Sequence, residues 1–324
     1  MDKQRTLWID QMRGICMLAI LLFHTEAYYA GTDLIPYNYY VANVLTAFFF
    51  LSGYLFHRNE RPFSLSRKLR SIVRSILIPY FVFTLLMALP KALTTEHTLP
   101  EVLINIFLGK GSWFVATLAM AEIEFALVLS IGKSWLFHLM PWLAIIIAWL
   151  LTGRLDDAHN YWKLHNSLIA YFFLYAGHLV YRYKDLFSRF ASPLVIPICL
   201  TLLIPLKIYI QHSHQSWVVD GVEVTCYSLF IVDRLLGIIL LIEVSRLLPR
   251  WYALSFVGQH SLYYYFFCGA VPMAVATLLH QLSFDYAGFY GQIILCFLLN
   301  CVFSTFIVWI ITHYFVFLPK NKLT

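Results

Sequence analysis

The chain has 324 residues, of which 60% are hydrophobic and 12% charged, with a formal net charge of +6. Soluble domains carry roughly twice that share of charged residues. The composition therefore excludes an ordinary soluble enzyme and places the chain among polytopic membrane proteins. Its six cysteines fall mostly within apolar segments and form no CxxC pair, a pattern of small buried hydrophobes rather than of a disulfide framework or a zinc site.

A membrane-spanning helix needs about 20 mostly apolar residues. Ten such segments follow one another, at 8–29, 39–57, 73–93, 112–132, 136–153, 166–183, 193–211, 225–245, 260–280 and 290–317. Pro197 and Pro205 interrupt the seventh, and Pro272 the ninth. The first reads as a retained span, because Asp10 and Arg13 interrupt its core and no small-residue cleavage site follows. With the N-terminus in the cytoplasm, Lys3 and Arg5 lie inside, and the stretch "HRNERPFSLSRKLRSIVR" (57–74) adds six basic residues there. On that count sixteen basic loop residues lie inside and four outside, the asymmetry that orients membrane proteins. The expected fold is all-α: a polytopic integral membrane protein of about ten transmembrane helices, both termini cytoplasmic. A single domain over 1–324 is expected, since no long linker, low-complexity tract or clear repeat appears.

The first segment contains "RGICMLAILLFH", residues 13–24. Eleven residues make about three helical turns, so Arg13 and His24 share a face, about 16 Å apart along the axis. Ionisable groups within membranes are costly and face a bundle interior or a cavity. Alternatively, Arg13 snorkels to the headgroups and His24 marks the outer interface, with Glu26, Tyr28 and Tyr29 close behind. Further along, Arg67 and Arg70 form an R-x-x-R spacing that Arg74 continues. This is either an anion-binding face or a basic loop of the positive-inside kind. Glu122 and Glu124 are not on one helical face, so at most one points at a site. Asp233 and Arg234 are sequence neighbours, which predicts a separate partner for each; Lys207 is a candidate for one of them. Trp113 and the run Tyr263–Tyr265 suit either an interfacial belt or stacking on sugar rings. His178 and His260 are expected at the membrane interface.

Several of these stretches carry a family resemblance. "RTLWIDQMRGICMLAILLFH" is similar to the first helix of the membrane acyltransferase-3 family of O-antigen and fucose O-acetylase-like proteins, with Asp10, Arg13, Gly14 and His24 in register. "FFFLSGYLF" (48–56), "RSILIPYF" (74–81), "GSWFVATL" (111–118), "FFLYAGHLVYR" (172–182) and "FVGQHSLYYYFF" (256–267) resemble later motifs in the same order. The resemblance implies O-acyl transfer, usually of acetyl, from a cytoplasmic acyl-CoA to a hydroxyl of a lipid-linked or cell-surface carbohydrate. It also implies a bacterial inner membrane. It makes His24 the catalytic residue, with Arg13 on the donor side. Arg70 and Arg74, and next Arg67, become the contacts for the CoA phosphates. Glu122 and Trp113 are candidates for supporting the substrate. The donor would be acetyl-CoA, with no metal and no nucleic-acid partner. The chain departs from the family in Cys268, where many members carry histidine, and a C-terminal hydrolase-like domain found in some members is not expected here. A transporter or flippase without chemistry is the competing reading. Only 14 glycines and no evident repeat weigh against it.

Overall fold

The computed structural model describes residues 7–56, 62–87, 98–154, 159–213, 217–218 and 223–314. Lys3, Arg5, Arg58, Arg61, Lys91, Lys320 and Lys322, which enter the charge count, lie outside these residues, as do the predicted helix ends at 88–93 and 315–317. In chain order the helices are α1 (Leu7–Thr25), α2 (Val41–Leu55), α3 (Leu65–Ile72), α4 (Ile78–Leu86), α5 (Leu99–Phe107), α6 (Trp113–Ile131), α7 (Ser134–Leu151), α8 (Leu164–Arg182), α9 (Lys184–Arg189), α10 (Val195–His212), α11 (Tyr227–Leu247), α12 (Tyr252–Gln259), α13 (Ser261–Phe267), α14 (Ala270–Gln281) and α15 (Tyr290–Tyr314). Between α10 and α11, β1 (Trp217–Val218) and β2 (Glu223–Val224) form a two-residue antiparallel ladder.

Each of the ten expected segments is largely helical over its described residues, but their lengths and polarity differ. Six spans among the described residues are long and apolar enough to cross a membrane, or seven if the bent pair α13 and α14 is one span. The expectation of ten is met only in this coarser form. Helix α2 has 15 residues and falls short. Helices α8 and α11 are long enough but polar: α8 carries His165, Asn166, Ser167 and His178, and α11 carries Asp233, Arg234 and Glu243. Helix α5 was not anticipated. Its start is fixed by a capping box, in which the Thr98 backbone N–H donates to the Glu101 carboxylate at 3.0 Å, with Pro100 in the first turn.

Prolines act according to position. Pro197 lies in the first turn of α10, where its missing N–H costs nothing, and α10 continues through Pro205. Pro272 cannot donate to the Cys268 carbonyl, and there the ninth segment breaks into α13 and α14, bent by 45°. Pro79 likewise cannot donate to Ser75, and a π-helical turn, Val73–Leu77, joins α3 to α4.

The chain forms two compact units that interleave in sequence. The first comprises Met1–Leu45, Ser192–Tyr209 and Asp233–Thr324. Here α1 and α12 cross with their backbones in contact. A Cβ on Gly14 would lie 2.3 Å from the Leu254 carbonyl oxygen, and one on Gly258 would lie 1.7 Å from that of Asp10. Only glycine fits at either position. Helices α14 and α15 also pack on α1. The second unit comprises Thr46–Ala191 and Ile210–Val232. It repeats the device between α2 and α8: a Cβ on Gly53 would lie 1.9 Å from the Leu174 oxygen, and one on Gly177 1.9 Å from the Phe50 oxygen. Small residues at crossings let helices approach where lipid offers no hydrophobic drive between them. Elsewhere α7 and α15 turn large apolar side chains outward, among them Trp142, Ile146 and Trp149, and Leu298, Val302 and Phe306. Such faces suit hydrocarbon.

Within the first unit, Asp233 and Arg234 are both fully buried. Lys207 Nζ lies 2.8 Å from Asp233 Oδ1 and also donates to Asn43 Oδ1 at 2.7 Å and the Asn38 carbonyl at 2.6 Å. Arg234 donates to Asp233 Oδ2 at 2.6 Å and to Asn43 Oδ1 at 2.8 Å. The Lys207 pairing agrees with expectation. Separate partners for Asp233 and Arg234 do not: the long guanidinium stem folds back to the adjacent carboxylate.

Two outcomes follow. Gly258→Ala should destabilise the detergent-solubilised protein by at least about 1–3 kcal/mol, whereas Gly269→Ala, whose Cβ would meet only the Tyr28 hydroxyl at 3.7 Å, should leave the thermal midpoint near wild type. Asp233→Ala strands two buried cations and should cost about 3–5 kcal/mol in the same assay.

Candidate active site

Helix α1 carries Asp10, Arg13, Gly14 and His24 on one continuous element. Asp10 is buried and accepts from Gln259 Nε2 of α12 at 3.1 Å. Gln11 Nε2 donates to the Pro249 carbonyl at 2.6 Å. These bonds and the glycine crossing fix the height and rotation of α1, and with them Arg13 and His24. Both of those side chains are half-buried.

The His24 ring is held by aromatic contact. It stacks on Tyr28, with centroids 6.1 Å apart and planes at 21°, and meets Phe23 edge-on at 5.6 Å. Phe23 in turn meets Tyr37 edge-on at 5.6 Å. Among the described residues, neither ring nitrogen of His24 has a hydrogen-bond partner. Asp10 is fourteen residues away on the same helix, about 21 Å along its axis, so it does not orient the imidazole as a triad carboxylate would.

Beyond His24 the chain enters a π-helical turn, Glu26–Ala30, closed by Gly31 with φ +70°, a left-handed conformation that suits glycine. The Glu26 carboxylate is fully buried and accepts from the Tyr290 hydroxyl at 2.6 Å and from the Ile35 backbone N–H at 3.1 Å. Asn300 Nδ2 donates to Thr25 Oγ1 at 2.9 Å, while the buried Asn300 Oδ1 has no partner among the described residues. Tyr29 donates to the Phe284 carbonyl at 3.1 Å and stacks on His280, with centroids 5.5 Å apart. From the sequence, Glu26 reads only as a mark of the membrane edge, and Asn300 and Gln259 are not singled out. A lone asparagine in a 25-residue apolar helix and an acid two residues after His24 were the available signals.

Of the remaining predicted residues, those between Arg67 and His178 belong to the second unit, and His260 and Cys268 to the first. Arg67 and Arg70 on α3 and Arg74 in the following turn are all exposed. Lys68, between them, is anchored: its Nζ lies 2.9 Å from Glu122 Oε2 and 3.6 Å from the centroid of the Phe56 ring. Ser52 also donates to the Glu122 carboxylate. Glu122 therefore holds the basic helix from beneath. Glu124, on another face, accepts from Ser167 at 2.6 Å. Trp113 opens α6, nine residues before Glu122 and about 13 Å away along the axis. The structure thus places these two candidates at separate points. His178, on α8, the helix whose Gly177 meets the α2 backbone, is buried against Phe125 and Phe137. His260 is half-buried at the junction of α12 and α13, its Nδ1 2.9 Å from the Phe256 carbonyl. Cys268 is buried at the bend before α14.

A family model described as an acyltransferase domain matches residues 6–314. The chain belongs to the acyltransferase-3 family. With its long apolar helices, it is an integral membrane acyltransferase. No curated protein and no solved structure matches it. Among acyltransferase motifs, the Arg13–Gly14 pair now has a local reason: Gly14 admits the α12 backbone, and Arg13 is carried beside that fixed point.

Glu26→Gln offers one acceptor oxygen where the carboxylate serves two donors. It should lower stability by about 1–3 kcal/mol, while Tyr290→Phe, which leaves the Ile35 bond intact, should cost less; thermal unfolding of the purified variants measures both.

Proposed function

We propose that this protein transfers an acyl group, acetyl in the simplest case, from acyl-CoA to a hydroxyl of a lipid-linked or cell-surface carbohydrate, with His24 as the base. The observation that carries this reading is an imidazole on α1 whose two nitrogens have no hydrogen-bond partner among the described residues, in a chain of the acyltransferase-3 family. A neutral imidazole can take a proton near neutral pH. In the proposed step the acceptor hydroxyl gives its proton to His24 as its oxygen attacks the thioester carbonyl. The carbon–sulfur bond breaks, and the proton passes to the departing thiolate. Arg13 lies about 16 Å toward the start of α1, where its guanidinium suits the donor's phosphates or carbonyl. The exposed arginines 67, 70 and 74 supply a second anion-attracting surface. Glu122 acts through Lys68 rather than on substrate.

The same proposal includes the topology. Helices α2, α8 and α11 cross the membrane shielded by their neighbours, the bent pair forms one crossing, and both termini lie in the cytoplasm of a bacterial inner membrane. The whole chain acts as one acyltransferase unit.

The test is transfer from radiolabelled acetyl-CoA in membranes bearing wild type or His24→Ala at matched expression. Label should enter a glycan fraction and fall by about 10²–10⁴-fold in the variant. A folded His24→Ala protein with full activity would overturn the role of His24. Wild-type membranes that never consume acetyl-CoA would favour transport instead.

A further inference from the structure

Within the first unit, a cleft of about 1130 Å³ opens beside the start of α1, against the α11–α12 junction. Trp8, Gln11, Ser245, Arg246, Arg250 and Ser255 are among its walls. Its rim consists of two guanidinium–aromatic pairs: Arg246 lies 5.5 Å from the Trp8 ring centroid and Arg250 lies 4.8 Å from that of Tyr252. Arg246 is partly neutralised by Glu243 at 3.0 Å. Arg250 is exposed and has no carboxylate partner among the described residues. In the wall, the buried hydroxyls of Ser245 and Ser255 have no hydrogen-bond partner among the described residues. The Asp10 carboxylate, also in the wall, is engaged by Gln259.

We infer that this cleft, and not the exposed arginines of α3, seats the adenosine bisphosphate head of the acyl-CoA donor. The inference rests on the acyltransferase reading above. The volume suits a nucleotide rather than a lone phosphate. Planar guanidinium and indole faces stack on an adenine ring. Arginine forks match phosphate oxygens, and the hydroxyls of Ser245 and Ser255 have hydrogen bonds to offer that no described residue takes up. Gln11 and His24 are thirteen residues apart on one helix, about 20 Å. A flexible arm between nucleotide and thioester is needed to cover that distance, and CoA has one. The shared chemistry, phosphate beside an aromatic rim, would also suit an anionic lipid headgroup.

The experiment uses the full chain in phosphatidylcholine nanodiscs, with adenosine 3′,5′-bisphosphate as probe. Binding should weaken roughly tenfold to a hundredfold in Arg250→Ala and in Trp8→Leu, and stay within about twofold in Arg189→Ala, an exposed arginine of α9. Acetyl-CoA turnover should show a raised KM with little change in kcat. Undiminished probe binding in both cleft variants overturns the inference while leaving the acyltransferase reading intact. So does a wild type that turns over acetyl-CoA yet binds no probe. Native mass spectrometry after reconstitution with added phosphatidylglycerol tests the lipid source: retained lipid lost in Arg250→Ala, with no probe binding in wild type, assigns the cleft to lipid and also overturns the inference. A wild type that neither binds the probe nor consumes acetyl-CoA would defeat both readings together.

Discussion

The first unit is organised around one steric fact: the backbones of α1 and α12 touch. At Gly14 and Gly258 the neighbouring carbonyl oxygens occupy the space where a Cβ would stand. Contact of this kind has no side-chain slack. It sets the axial position of α1, and the Gln259–Asp10 and Gln11–Pro249 bonds then set its rotation. Everything attached to α1 inherits that precision. His24 needs no hydrogen-bonded orienter of its own because the rod that carries it is already fixed, and stacking on Tyr28 sets the ring. The second unit uses the same solution at Gly53 and Gly177, directly beside Ser52, whose hydroxyl meets the carboxylate that anchors Lys68.

Against this apolar background, buried polar side chains gather in networks: Lys207, Asp233, Arg234 and Asn43 form one, and Glu26, the Tyr290 hydroxyl and the Ile35 N–H another. Asp233 Oδ1 and Arg234 Nε lack a hydrogen bond among the described residues, as do the hydroxyls of Ser245 and Ser255, so an unmade bond alone does not separate scaffold from candidate chemistry. Arginine occurs in both roles: Arg234 holds the fold, while Arg250 lies where a ligand is proposed to bind.

Much of this was legible from the residues. The apolar periodicity located every long helix, and the eleven-residue spacing put Arg13 and His24 on one element. That Lys207 pairs with a buried acid follows from the cost of an unpaired charge in an apolar helix; which acid, Asp233, comes only from the fold. The failures have physical causes. Hydropathy judges each segment alone, so it did not distinguish α8 and α11, polar and dependent on neighbours, from α15, whose apolar side chains face outward. Helix α5 is short and owes its start to a cap. The Asp233–Arg234 contact was missed because helical geometry places Cβ atoms, while arginine acts from five bonds further out. Glu122 looked like a lone acid in an apolar helix until Lys68, far away in sequence, supplied its charge partner.

The two π-helical turns have one further consequence. Glu26–Ala30 follows His24 directly, and Val73–Leu77 contains Arg74. Such a turn is an α-helix that has swallowed one extra residue. In an unbroken α-helix, losing one residue turns everything beyond it by about 100°; at a π turn the widened loop takes up the difference, so losing the extra residue restores the α-helical repeat with the flanking segments close to their present phase. Between α3 and α4, where helix continues on both sides, a single-residue length change is one the bundle can absorb while the arginines of α3 keep their face.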